Sequence, residues 1–207
     1  MTRSSRPQLL AALLVVCGAH GASRAASFDC HAATLSGVEK RVCARPVLSA
    51  LDEQMALAFR QLRAQDTAAV AGQRRWLAAD RDRCADDDCL FAAYSARLGA
   101  LRTRTGSCPV SEQALVGRWA SDGRGSDAFD AVAFTRDGGQ RAFESWLHQA
   151  PFASGSWTLK DCAISVSAGA SGQLEIALTV LTLDGGVLRL ASDLDARPLE
   201  LRRTAGR

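Results

Sequence analysis

Arg81-Asp82-Arg83-Cys84-Ala85-Asp86-Asp87-Asp88-Cys89-Leu90-Phe91-Ala92-Ala93-Tyr94 reads as the end of one helix, a tight turn and the start of another. Three consecutive aspartates favour the positive N-terminus of a helix. The apolar residues beyond them, Leu90, Tyr94, Leu98 and Leu101, recur at three- and four-residue steps and mark one buried face. Asp86 to Asp88 do not make a calcium loop, because neither a glycine turn nor a distal glutamate completes one. Upstream, residues 68–82 read as a helix with Val70, Trp76 and Leu77 inward. Before it, Leu48, Leu51, Met55, Ala58, Phe59 and Leu62 repeat on one face behind Pro46, a residue suited to a first helical turn. Ser36-x-x-Glu39 is a capping box that opens a short helix ending near Ala44. Short connections between such helices make neighbours antiparallel, so residues 27–104 are expected to form a four-helix module.

The composition changes near residue 105. The stretch 105–109 reads as a linker, and residues 110–207 hold three of the four tryptophans and most of the glycines. Strands are expected at 115–120, 129–135, 141–147, 155–160, 163–167, 174–182, 187–191 and 199–203. Asp122-Gly123, Asp137-Gly138-Gly139, Ser171-Gly172 and Asp184-Gly185-Gly186 punctuate them as turns. Residues 141–149 fit a helix as well as a strand. The fold class is therefore α+β in two segregated domains, the second an antiparallel barrel or sandwich of about eight strands.

Residues 1–26 have the layout of a signal peptide. Arg3 and Arg6 precede an apolar run from Leu9 to Cys17, and small residues follow, with cleavage expected after Ala25 or Ala26. Leu14-Val15-Val16-Cys17 resembles a lipidation box, but Val16 stands where a small residue is needed. Arg3, Arg6 and Arg24 carry the whole formal excess of +3, because no acidic residue precedes Asp29. The mature chain is then neutral, which argues against a nucleic-acid partner. No later segment is long and apolar enough for a transmembrane helix.

Six of the seven cysteines follow the leader: Cys30, Cys43, Cys84, Cys89, Cys108 and Cys162. An even number in an exported chain points to three disulfides and a periplasmic or secreted location. Local closure favours Cys30–Cys43, Cys84–Cys89 and Cys108–Cys162, with Cys30–Cys84 and Cys43–Cys89 as the crossed alternative. Metal binding is disfavoured, since Cys-x-x-Cys is absent and only His31 and His148 remain after the leader. Neither histidine stands near a nucleophile motif, and nothing singles out a carboxylate pair such as Asp130 and Glu144. No cofactor and no catalytic residue are expected.

Phe28-Asp29-Cys30, Val38-Glu39-Lys40-Arg41-Val42-Cys43, Leu51-Asp52, Gln73-x-x-Trp76-Leu77, Arg81-Asp82-Arg83-Cys84 and Cys89-Leu90 with Tyr94 and Arg97-Leu98 together resemble the lysozyme-inhibitor LprI-like N-terminal domain family, over residues 28–101. The resemblance implies a small, helical, disulfide-held module of the periplasm or exterior, with no catalytic residues to carry over. Leu115-Val116-Gly117-Arg118-Trp119 and Gly155-Ser156-Trp157 are similar to motifs of lipocalin-like barrels, in which Arg202 or Arg203 would stack on Trp119.

The function expected is non-enzymatic binding, with a lysozyme-type muramidase as the partner. Arg45, Arg81 and Arg83 are the candidate contacts for an acidic cleft. The plainer reading makes Glu39, Asp52, Arg81 and Arg83 ion pairs between helices. Two alternatives are carriage of a small apolar ligand in a barrel cavity behind Trp119 and Trp157, and an envelope protein–protein interaction module.

Overall fold

The computed structural model describes residues 26–121, 128–169 and 172–204. Residues 1–25 of the expected leader, with Cys17, the expected Asp122-Gly123 turn and Ser171 lie outside the described residues. Helices α1 (Gly37–Ala44), α2 (Pro46–Gln65), α3 (Ala69–Ala79) and α4 (Asp87–Thr105) come first, with a 3-10 turn at Arg81–Arg83 between the last two. A short α5 (Glu112–Leu115) leads into strands β1 (Gly117–Ala120), β2 (Ala131–Asp137), β3 (Gln140–Leu147), β4 (Ala150–Lys160), β5 (Ala163–Ala168), β6 (Leu174–Asp184), β7 (Val187–Ser192) and β8 (Leu199–Thr204). Each strand pairs antiparallel with the next, and β8 returns to β1 in a closed barrel, which decides against a sandwich.

Local chemistry sets the helix ends. Ser36 accepts from the Glu39 N–H, and the Glu39 carboxylate accepts from the Ser36 N–H at 2.8 Å, so α1 starts with a complete capping box. Asp86 accepts from the Cys89 N–H and opens α4. Gly106, with φ of 63°, closes α4 in the left-handed conformation that costs glycine least. Ser107 and Cys108 are not a free spacer: the Ser107 N–H donates to the Arg102 carbonyl, and Cys108 is bonded to Cys162. The other disulfides join Cys30 to Cys43 and Cys84 to Cys89. Such bonds fit an oxidising compartment. No helix among the described residues is long and apolar enough to cross a membrane.

Two expectations are corrected, and one ambiguity is resolved. The third helix ends at Ala79 and tightens into the 3-10 turn instead of running to Asp82. The first strand starts at Gly117 instead of residue 115, because Leu115 ends a short helix that Ser111 caps by accepting from the Ala114 N–H. The stretch 141–149 is strand and turn, with paired residues along β3. The turns His148-Gln149 and Asp161-Cys162 hold all four residues at positive φ without a glycine. Pro151 lies opposite Trp146 where the β3–β4 register shifts, so its missing N–H falls at an irregular point of the ladder.

The barrel interior carries an apolar core. Trp119, Phe129, Phe134, Phe143, Trp157, Ile164, Val166, Ile176, Leu188 and Leu201 are all buried in one cluster. Trp119 Nε1 donates to the Leu115 carbonyl at 2.8 Å and Trp157 Nε1 to the Thr135 carbonyl at 3.1 Å, so both indoles keep a partner. Of the two arginines expected near Trp119, Arg203 lies over its ring, 4.3 Å from the centroid. The same guanidinium donates to the carbonyls of Val116 and Ala114 and fastens α5 to the last strand.

Helices and barrel share a joint along α4 and β6. The register between β6 and β7 steps from Val180↔Leu190 to Thr182↔Arg189, so Leu181 is an extra residue in a bulge. Its side chain leaves the barrel and is buried among the helices. Arg102, 5% exposed, donates to the carbonyls of Val180 and Leu181 and to Gln54 Oε1. These acceptors are neutral, and burial pulls the arginine's pKa down to about 10. Ser95 meets Thr179 at 2.7 Å and Thr103 meets Asp161 at 2.9 Å along the same face of α4. Arg102→Met is expected to leave two buried carbonyls without donors and to lower stability by about 1–3 kcal/mol, read as an earlier urea midpoint. An unchanged midpoint would show that the guanidinium does not hold the joint.

Candidate functional site

The motif residues of the helical half converge on a buried polar cluster. Asp52, 1% exposed on α2, accepts from the Tyr94 hydroxyl at 3.0 Å and from the Ser27 N–H at 2.6 Å. Burial, together with the charge of Asp52, pushes the Tyr94 hydroxyl well above the usual phenol range, so it remains a donor. Trp76 packs edge-on against the Tyr94 ring at 5.3 Å. Gln73 on α3 takes two hydrogen bonds from the Arg97 guanidinium, at 3.0 and 2.9 Å, which holds α3 to α4.

Above this cluster lies a groove of about 650 Å3 between α3, the 3-10 turn and α4. Trp76, Ala79, Ala92, Ala96 and Ala100 line it with the Cys84–Cys89 bridge, and Asp80, Arg83 and Arg97 supply its charge. Three alanines at four-residue spacing put one face of α4 in the groove. That face was not selected by sequence reasoning. Its only signal is an alanine row beside the Leu90-Tyr94-Leu98-Leu101 stripe.

The three arginines singled out from the sequence do not share a surface. Arg81 is 9% exposed and pairs with its neighbour Asp82 at 2.7 Å. Burial works to lower its pKa, but Asp82 and Tyr94 outweigh that and leave it raised. Arg45 pairs with Asp87 at 3.0 Å and borders a narrow crevice with Asp88, Phe91 and Asp193. Arg83 is exposed at the groove, and among the described residues no carboxylate pairs with it. Of the residues expected in inter-helix ion pairs, Glu39 caps its own helix and its carboxylate is also favoured by the Arg81 charge, while Asp52 takes neutral donors.

Trp119 and Trp157 are buried in the barrel core, 0% and 1% exposed. A recess of about 300 Å3 with a mixed polar and apolar lining opens at β3 and β4, between Glu144, Trp146, Pro151, Phe152 and Ser154. His148 sits exposed at a hairpin tip, and among the described residues no cluster of three or more His, Cys, Asp or Glu is arranged to hold a metal ion. Comparison with protein-family models, curated proteins and solved structures returns no match.

Tyr94→Phe removes the hydroxyl from the buried carboxylate while keeping the ring. It is expected to cost about 1–3 kcal/mol in chemical denaturation, against a near-zero effect of Arg83→Gln. Equal effects of the two changes would contradict a buried cluster beneath an open groove.

Proposed function

We propose that this chain is an exported, non-enzymatic binding protein that acts through the groove between α3 and α4. The observation that carries this reading is an apolar, open groove with the exposed Arg83 guanidinium at its edge. Such a site suits a protein partner that presents an apolar residue beside a carboxylate. A lysozyme-type muramidase, whose substrate cleft carries acidic residues, is the partner that this chemistry and the resemblance over residues 28–101 favour. Under this reading the disulfide-stapled four-helix module of residues 27–104 is the binding unit, residues 105–109 join it to the β domain, and the leader directs export. Arg81 contributes by holding the 3-10 turn, since its side chain is buried. Trp119 and Trp157 are buried in the barrel core, so a reading as carrier of an apolar ligand would place that ligand inside the barrel rather than in the groove.

Purified mature protein is expected to slow lysozyme digestion of peptidoglycan. Arg83→Glu is expected to weaken that effect at least about tenfold, a loss in the range of one interface anchor. Arg45→Glu, away from the groove, is expected to change it little. No slowing at large molar excess would reject the muramidase. Slowing that Arg83→Glu leaves intact would reject the groove.

A further inference from the structure

The Asp52 carboxylate is buried in the helical core, and among the described residues only neutral donors reach it. The Tyr94 hydroxyl reaches one oxygen and the Ser27 backbone N–H the other. A buried carboxylate without a cation against it is costly. Arg81 bears on the Tyr94 hydroxyl, and its own ion pair is with Asp82. The position of the Ser27 donor is informative. Ser27 follows Ala25 and Ala26, the two residues after which the leader pattern puts the cut. Ala26 is itself 2% exposed and packed in the helical core. The chain is therefore drawn against Asp52 at the point where the mature protein would begin.

We propose that Asp52 is the built-in counter-ion for the α-ammonium created when the leader is removed. The proposal rests on reading residues 1–26 as a leader. In the processing step, water adds across the peptide bond after Ala25 or Ala26. The leader departs with the new carboxylate, and the freed amine of Ala26 or Ser27 takes up a proton. After a cut at Ala26, the ammonium is the nitrogen that lies 2.6 Å from Asp52 Oδ2. After a cut at Ala25, it sits one residue away, within about 3.8 Å of chain. In the precursor the same nitrogen is an uncharged amide. Processing thus supplies a cation that Asp52 does not meet among the described residues, in the compartment where the disulfides form.

Intact-mass analysis of the exported protein gives the first residue, expected to be Ala26 or Ser27. A start elsewhere overturns the leader reading and the pairing with it. Two glycines inserted at the cut move the charge away while leaving the Ser27 N–H in place. In urea unfolding, the insertion is expected to lower the folding equilibrium constant about a hundredfold, and by only a small factor when combined with Asp52→Asn. Equal losses in both backgrounds overturn the pairing and leave the leader reading intact. Reductive methylation of the folded native protein gives a second measure that needs no variant. An ordinary α-amine, with its lower pKa, reacts faster near neutral pH than a lysine. A paired one is expected to react more slowly than the exposed Lys40 and Lys160. A faster reaction overturns the proposal.

Discussion

The Arg102 guanidinium, buried against the bulge of β6, is the contact on which the arrangement of helices and barrel depends. The bulge turns Leu181 out of the barrel and into the helical core, and so supplies apolar surface that both halves share. It also leaves the carbonyls of Val180 and Leu181 at a joint that excludes water. Only a planar fork on the opposing helix answers two adjacent carbonyls at once, and Arg102 provides it. The desolvation that lowers its pKa is a standing cost, offset by three hydrogen bonds and by the burial of Leu181 and Ala191 around it.

That joint explains the character of α4, which has three working faces. Leu90, Tyr94, Leu98 and Leu101 pack among the helices, Ser95, Gly99, Arg102 and Thr103 meet the barrel, and Ala92, Ala96 and Ala100 stay open to the groove. Gly99 lies so close to the β4–β5 turn that a Cβ there would stand 2.7 Å from the Asp161 carbonyl oxygen. Small size at that position therefore sets how near the helix approaches the barrel. The groove is a consequence of the same packing: α4 is held to the barrel on one side and to α3 through Gln73 and Arg97 on another.

The elements that follow from local chemistry were legible. The Ser36–Glu39 box and the acidic start of α4 each act within one helical turn, and alternation along Leu174, Ile176, Leu178 and Val180 marks a strand with one buried face. Elsewhere local signals were silent or misleading. His148-Gln149 and Asp161-Cys162 turn without glycine because strand pairing on both sides imposes their positive φ. Arg81 has the composition of an exposed contact, yet Tyr94 and Asp82 hold it inside, while Arg83, two residues on, remains outside. Periodicity does not distinguish them, because a 3-10 turn, not a regular helix, carries both.

The sequence by itself determined the helix caps, the succession of helices and then strands, and a cysteine set suited to an oxidising compartment. These depend on side chains acting on backbone a few residues away. Tertiary structure alone decided the closure of the barrel, the burial of Arg102 and Asp52, the burial of Trp119 and Trp157, and the groove above Trp76. Each of these depends on residues far apart in the chain, such as Arg102 and Val180 or Asp52 and Tyr94. Whether a charge is buried or a space is filled is set by what packs against it, and no local pattern encodes that distant surface.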